Sequence, residues 1–240
     1  MNKLFFTPIA AVLLATAVTL PAADSAEVIL KKHVNAIGGE ALHKKAKSRE
    51  IVATMDMPAA GFTAEMKILA KAPDKIRTEL EIPQMGKVVE GYDGKVAWSQ
   101  SPFTGLIEKS GGQLEQTKRQ ADFHRDVEIA KRFETWKVRG NETVSGKETI
   151  VLEGSSPGKD GETMWLDAKT YLIHKVETTA ETPQGRLKTS TITTDYRDVD
   201  GMKFPFAIKV ESDLGAMNLK IKQIKFGVEA PDSLFAKPAN

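Results

Sequence analysis

Apolar and polar residues alternate along most of the chain from Glu50 onward. Ile51, Ala53, Met55 and Met57 share one face of a first predicted strand, and residues 62–70 repeat the pattern with Phe62, Ala64, Met66, Ile68 and Ala70. A period of two is typical of a β-strand that buries one side. The opposite faces carry Thr, Glu and Lys, so each strand is half solvated, as in an antiparallel sheet covered on one side only.

Turn residues separate these alternating runs. Asp93-Gly94 and Asp200-Gly201 each supply the positive φ values that a two-residue hairpin needs, so residues 191–198 are predicted to pair with residues 202–212. Counting the runs between turns predicts about eleven strands. The last of them changes phase at Lys222-Gln223, which indicates a bulge.

Three stretches break the period of two. Residues 26–37 have helical spacing and end at Gly38-Gly39, and residues 41–47 form a shorter helical turn. Residues 101–105 are predicted to interrupt the sheet. Residues 114–133 are predicted to form a central helix with an apolar stripe, either a lid over a cavity or ordinary core, made of Phe123, Val127, Ala130 and Phe133.

Composition limits the classes of function. With 240 residues and 41% hydrophobic content, the chain can bury one sizeable core, and residues 27–240 are predicted to form a single domain. The 34 basic and 32 acidic residues leave a net charge of +2 and no surface of one sign, so no nucleic acid partner is predicted.

The first 26 residues have the features of a signal peptide. Lys3 precedes a mostly apolar run at residues 4–20, and small residues follow at positions 22–26. Export to the periplasm is the expected consequence, with an uncleaved anchor as the alternative. The chain has no cysteine, so neither a disulfide nor an acylated cysteine is available, and we expect a soluble monomer.

Motifs for chemistry are absent from the sequence. The four histidines lack metal-ligand spacing, and no nucleophile elbow, phosphate loop or dinucleotide fingerprint occurs. The aspartates at turns are explained by bonds to local amides. We therefore expect no metal, no cofactor and no enzymatic activity.

Methionines are frequent in or beside the predicted strands, and their flexible thioethers adapt to ligands of irregular shape. Ordinary gap filling is the alternative explanation. A long sheet with few helices leaves its covered face incompletely filled, which predicts a cavity. The candidate lining residues are Met55, Met57, Phe62, Met66, Ile68, Leu80, Trp98, Phe123, Val127 and Phe133.

Four segments together resemble the LolA-like outer-membrane lipoprotein-sorting proteins: residues 33–39 (HVNAIGG), the hairpin at 91–98, residues 121–123 (ADF) and the hairpin at 195–206. The resemblance implies a mainly β fold, an open, incomplete antiparallel β-barrel of about eleven strands with a few helices over its concave face. It also implies a hydrophobic cavity for acyl chains. The family's cavity arginine has three candidates here: Arg77, Arg186 and Arg197.

The expected function is therefore a periplasmic binding protein or carrier for lipids or acylated proteins. A membrane surface or an envelope protein would be its further partner. The alternative is a protein-interaction or envelope-sensor module with the same fold, which would use an exposed strand edge or the Phe103 loop.

Overall fold

The computed structural model describes residues 24–158, 160–182, 185–213 and 215–239; most of the predicted signal peptide lies outside these ranges. Within them are helices α1 (Ala26–Ala36), α2 (Glu40–Lys45) and α3 (Gly111–Ala121). The strands are β1 (Ser48–Met57), β2 (Phe62–Lys71), β3 (Lys75–Ile82), β4 (Gly86–Tyr92), β5 (Ala97–Ser101), β6 (Gly105–Glu108), β7 (Thr135–Val144), β8 (Lys147–Ser155), β9 (Glu162–Asp167), β10 (Ile173–Thr182), β11 (Gly185–Val199), β12 (Met202–Ser212) and β13 (Gly215–Phe226). Short 3₁₀ helices occur at Pro58–Ala60, Ile129–Arg132 and Asp232–Leu234.

The described strands form one 13-stranded antiparallel sheet in the order β6-β5-β4-β3-β2-β1-β13-β12-β11-β10-β9-β8-β7. The first and last strands meet in the middle, and the sheet stays open because β6 and β7 are its two edges. This confirms the predicted open, mainly β architecture with a few helices.

The sheet has thirteen strands where the sequence predicted about eleven, and one of the additional strands is β6, which forms because residues 101–105 do not interrupt the sheet. They form the turn between β5 and β6, where the hydroxyl of Ser101 accepts hydrogen bonds from the amides of Phe103 and Thr104 at 3.3 and 3.1 Å. The side chain thus supplies the local bonds that close a tight turn. The prediction of a break at this point was wrong.

Both predicted hairpins and the bulge are present, but only Asp200-Gly201 forms a two-residue turn, because residues 93–96 lie between the paired residues Tyr92 and Ala97. Gly94 and Gly201 have φ values of 96° and 81°, and Thr191 pairs with Val210 in the β11–β12 hairpin. In the β1–β13 pair, Val52 lies opposite Gln223 and Ala53 lies opposite Ile221, so one residue of β13 is left unpaired. That residue is Lys222, within the pair of residues predicted from the change of phase.

The helices cover one side of the sheet, here called the inner face. Helix α1 packs on β8 and β9 through Ile29 and Leu30, and Leu42 of α2 packs on the β12 residues Met202 and Phe204. Leu114 and Ala121 of α3 pack on Tyr92 and Ala97. Following the register across β1–β5 and β8–β13 places these contacts on the same face. The other side is the outer face.

The predicted central helix at residues 114–133 is interrupted. Helix α3 ends at Ala121, because Asp122 leaves helical geometry with ψ 103° and its carboxylate accepts a hydrogen bond from the amide of His124. A short polar side chain that bonds to nearby backbone competes with helix propagation. Turns and a 3₁₀ helix follow, and residues 122–132 are called the cap segment below. The four residues of the predicted stripe therefore do not lie on one helical face.

Candidate functional site

A cluster of apolar residues occupies the inner face of β1–β4 and β13, and we call it the apolar floor. Met55 lies opposite Ala64 on one side and Leu219 on the other, and Met66 lies opposite Leu80. The buried members are Met55, Ala64 and Ile82, and the half-buried members are Met57, Phe62, Met66, Leu80, Val88, Met217 and Leu219.

None of the helices α1, α2 and α3 contributes a residue to the apolar floor, and the short 3₁₀ helix Pro58–Ala60 contacts β13. All of its members belong to strands, whereas each of the other three apolar clusters includes residues of a helix. Seven of its side chains are only half buried for that reason. A contiguous apolar surface that remains accessible marks a binding site more often than chance, and methionines let such a surface change shape.

Six of the predicted cavity residues lie together on the inner face. Ile68 lies on β2 opposite Ile51 and Thr78, between the apolar floor and the helix-covered end of the strands. The other five belong to the apolar floor itself: Met55, Met57, Phe62, Met66 and Leu80.

Trp98 lies on the outer face, so it does not share a surface with the other candidates. It pairs with Gly91, whereas the neighbouring Ala97 pairs with Tyr92 and points to α3. The indole is fully buried, and its Nε1 donates a hydrogen bond to the carbonyl of Phe235 at 2.9 Å. The C-terminal segment therefore covers Trp98, and the tryptophan is a core residue of the outer face.

Phe123, Val127 and Phe133 are separated from the apolar floor. Phe123 and Val127 are buried in the cap segment, and the Phe123 amide donates a hydrogen bond to the carbonyl of Pro73 at 3.0 Å. The Phe133 ring packs edge-on against Trp136, with centroids 5.2 Å apart, directly beside Gly154 of β8. A single lid formed by all three side chains is therefore not what the structure contains.

The methionines divide between the two explanations given above. Met164 and Met202 are packed beneath helices with exposures of 0% and 3%, so they fill gaps in the core. Met85 is exposed at the β3–β4 turn. Met55, Met57, Met66 and Met217 are the ones that share the apolar floor.

Two of the three arginine candidates, Arg77 and Arg197, have described side chains, whereas the side chain of Arg186 lies outside the described residues. Arg77 is on the outer face, where it donates to the carbonyl of Leu234 and lies 5.7 Å from the Trp98 ring. Arg197 is exposed, makes two hydrogen bonds to Asp195, and lies with its guanidinium carbon 4.5 Å from the centroid of the Phe206 ring. The arginine on the inner face of β1 is Arg49. Arg49 was not among the candidates predicted from the sequence, because it belongs to no motif. It lies an even number of residues from Met55 on β1, so the two side chains point to the same face.

Charged side chains gather in the cap segment above β1 and β9. Arg132 forms ion pairs with Glu162 at 3.2 Å and Asp126 at 3.5 Å. Burial raises the pKa of the Asp126 carboxyl, but Arg125, Arg132 and Arg49 outweigh it and hold that pKa below its ordinary value. Burial lowers the pKa of His33, whose Nδ1 donates to the carbonyl of Tyr171 at 2.9 Å.

A separate polar pocket of about 290 Å³ lies between α3 and strands β4–β6. Lys109 within it forms an ion pair with Glu90 at 2.9 Å, so the pocket carries no excess charge from this pair. Among the described residues, no three acidic or histidine side chains are grouped closely enough to hold a metal ion. In the same ranges, no helix has both the length and the apolar character needed to cross a membrane.

These features define the architecture as LolA-like: an open antiparallel sheet, the helices α1–α3 on one face, and an apolar surface on that face that none of the three covers. No family model and no curated protein matches the sequence.

Solved structures match the fold over nearly the whole chain. A LolA superfamily protein from Nitrosomonas europaea superposes with a TM-score of 0.61 and 17% identity, covering 90% of this chain and 99% of that one. A DUF1329 family protein from Desulfovibrio piger gives 0.60 and 13%, covering 89% and 98%. A domain described as an outer membrane lipoprotein-sorting protein from Vibrio parahaemolyticus gives 0.57 and 14%, covering 88% and 95%. At these identities the likeness establishes the fold.

Proposed function

We propose that this chain is a periplasmic binding protein or carrier for lipids or acylated proteins, and that it acts without catalysis. The observation that supports the proposal is the apolar floor, where half-buried side chains form a contiguous surface to which none of the helices α1–α3 contributes. Water in contact with such a surface is displaced favourably by an acyl chain. Four of its ten residues are methionines, which adapt to a flexible hydrocarbon better than branched side chains do.

The gain from burying an acyl chain is large enough for a carrier. Each methylene group removed from water contributes about 0.8 kcal/mol, so a chain of some fourteen carbons yields on the order of 10 kcal/mol before the costs of binding. Loss of translational and conformational freedom offsets part of this gain. The remainder is compatible with reversible binding, which a carrier needs in order to release its ligand.

The cellular setting belongs to the same proposal. Residues 1–26 would direct export and be removed, leaving residues 27–240 as one soluble, monomeric domain in the periplasm. A membrane surface or an envelope protein would then deliver and receive the ligand.

A protein-interaction or envelope-sensor module is the second candidate. Strand β7 is a free edge of the sheet with Val138 38% exposed, and Phe103 at the β5–β6 turn is 65% exposed. Free strand edges can pair with an extended segment of another chain. Recovery of a stoichiometric protein partner and no lipid from native mass spectrometry of the envelope-purified protein would favour this module over the carrier.

Two matched methionine variants test the carrier directly. Met66 belongs to the apolar floor, whereas Met85 is exposed at a turn. With the neutral apolar dye N-phenyl-1-naphthylamine as probe, we expect Met66→Gln to weaken binding by at least about fivefold, because a polar amide replaces an apolar contact. Met85→Gln should bind the dye as the unmodified protein does. Equal affinities for all three proteins would contradict the proposed site.

A further inference from the structure

Arg49 lies on the same strand and the same face as the apolar floor. It is on β1 with Ala70 of β2 and Phe226 of β13 as its neighbours across the sheet. Ile51 and Ala53 separate it from Met55, and all four have the same parity along the strand. Six residues of extended strand correspond to roughly 20 Å. The arginine therefore stands at the helix-covered end of an apolar track that continues onto the floor.

Among the described residues, the charge of Arg49 has no ion-pair partner. Its Nε is shielded from solvent without a hydrogen bond, and among the described side chains no carboxylate lies within ion-pair distance of its guanidinium. The guanidinium carbon of Arg49 lies 5.1 Å from the centroid of the Phe123 ring. A cation–π contact of this kind compensates only part of the lost hydration.

The acidic groups that act on Arg49 are Asp126 and Asp122, and both have other partners. Asp126 lies 3.5 Å from Arg132 and 3.9 Å from Arg125, and Glu162 lies 3.2 Å from Arg132. Asp122 is exposed and accepts a hydrogen bond from the amide of His124. Asp126 is thus shared by Arg125 and Arg132, and no described carboxylate is at ion-pair distance from Arg49.

An unpaired charge in a dehydrated position is strongly unfavourable for the protein alone. Burial lowers the pKa of Arg49, and the attraction of Asp126 offsets this only in part. Replacing such a residue with an apolar one often leaves stability unchanged or improves it. A cation at this position is therefore understandable if its counter-ion arrives with a ligand.

We propose that Arg49 binds the anionic head group, a carboxylate or a phosphate, of a single-chain amphiphile whose acyl chain extends along β1 over the apolar floor. This inference rests on the proposed function and adds the charge and the orientation of the ligand. The planar guanidinium can donate two parallel hydrogen bonds to a carboxylate, and such charge-assisted bonds strengthen where water is excluded. The amphiphile would thus be held at both its charged and its apolar end.

The test compares hexadecanoic acid with hexadecan-1-ol as competitors of the neutral dye, because the two share a chain and differ in charge. We expect the unmodified protein to bind the acid at least about tenfold more tightly than the alcohol. Arg49→Met should lose this preference while still binding the alcohol, and Arg49→Lys should retain part of it. Arg119→Met, which removes an exposed cation from α3, is the matched control and should keep the full preference.

Each other outcome has a distinct meaning. If acid and alcohol bind equally to the unmodified protein, the role of Arg49 is refuted while the lipid-binding function stands. If neither competes with the dye, the proposed function itself fails. Inorganic phosphate is the third probe: thermal stabilisation by phosphate alone that disappears in Arg49→Met would identify a plain anion site and overturn the amphiphile. An unfolding midpoint in urea that falls sharply for Arg49→Met without ligand would show a structural role instead.

Discussion

Gly38 and Gly201 meet at van der Waals distance, since a Cβ atom on Gly38 would lie 2.6 Å from the carbonyl oxygen of Gly201. The contact joins the end of α1 to the β11–β12 hairpin, and the amide of Lys203 donates to the carbonyl of Ile37 at 3.0 Å beside it. Two of the segments that carry the LolA resemblance are thus one packing unit. Glycine is required on the helix side because any side chain there would collide with backbone.

This contact predicts unequal effects for two adjacent glycines. Gly38 has φ 114° and no space for a Cβ, so Gly38→Ala should lower the free energy of unfolding by at least about 2 kcal/mol. Gly39 has φ 82° with no atom within 4 Å of a Cβ, so Gly39→Ala should cost only about 1 kcal/mol. Urea unfolding of both variants measures the difference. Equal losses would mean that close packing against Gly201 is unimportant.

The position of Trp98 separates stability from ligand binding. Trp98→Phe removes the hydrogen bond to the carbonyl of Phe235, a residue with 0% exposure, and we expect a loss of about 1–3 kcal/mol because that carbonyl is left unsatisfied. Affinity for the apolar dye, measured per folded molecule, should not change, since the indole is on the outer face. A changed affinity for the dye with an unchanged free energy of unfolding would show that Trp98 is part of the ligand site.

Phe123 and Phe133 should act independently, because the structure gives them separate partners. Phe123 contacts Arg49, and Phe133 contacts Trp136. Each single change to alanine should destabilise the protein, Phe123→Ala by roughly 3–5 kcal/mol because that ring is buried. In the double variant the losses should add to within about 0.5 kcal/mol. Urea midpoints decide the matter, and a large coupling energy would support the continuous apolar stripe that the sequence suggested.

His174 predicts a loss of stability in mild acid. The ring is 4% exposed, and its nitrogens make no well-aligned hydrogen bond within the described structure. Burial lowers its pKa, with Lys147 acting in the same direction, and the nearby backbone of Thr193 and Val144 and the carboxylate of Asp167 oppose this only in part. The unfolded chain therefore takes up a proton at about pH 6.5, before the folded protein does, so stability falls as pH decreases through that value.

His174→Phe provides the comparison. The phenyl ring fills similar space without a titrating group, so stability at pH 7 should be maintained or slightly raised. Between pH 7 and pH 5 the variant should lose less stability than the unmodified protein, although buried His33 continues to contribute to the acid dependence. Thermal unfolding at several pH values measures both curves, and parallel curves would exclude a role for His174.

Local sequence determined most of the strands and their faces. The parity of β1 assigns Met55 and Met57 to the inner face, and the structure agrees, because side chains alternate strictly along an extended backbone. The Asp-Gly turns determined the hairpins since few other residues accept positive φ. Even the bulge at Lys222 is visible as a change of phase.

Long-range contacts decided the rest. The alternation of β1 does not specify that β13, some 160 residues away, becomes its neighbour, since a period of two is shared by every strand. Trp98 has no alternating context that distinguishes inside from outside, and the distant Phe235 segment determines its face. Arg49 is the clearest case. Its place on the inner face follows from its parity along β1. Whether a described carboxylate pairs with it depends on the folded cap segment, in which Asp126 and Glu162 form ion pairs with Arg132. Such ion pairs form between groups that only the tertiary structure brings together.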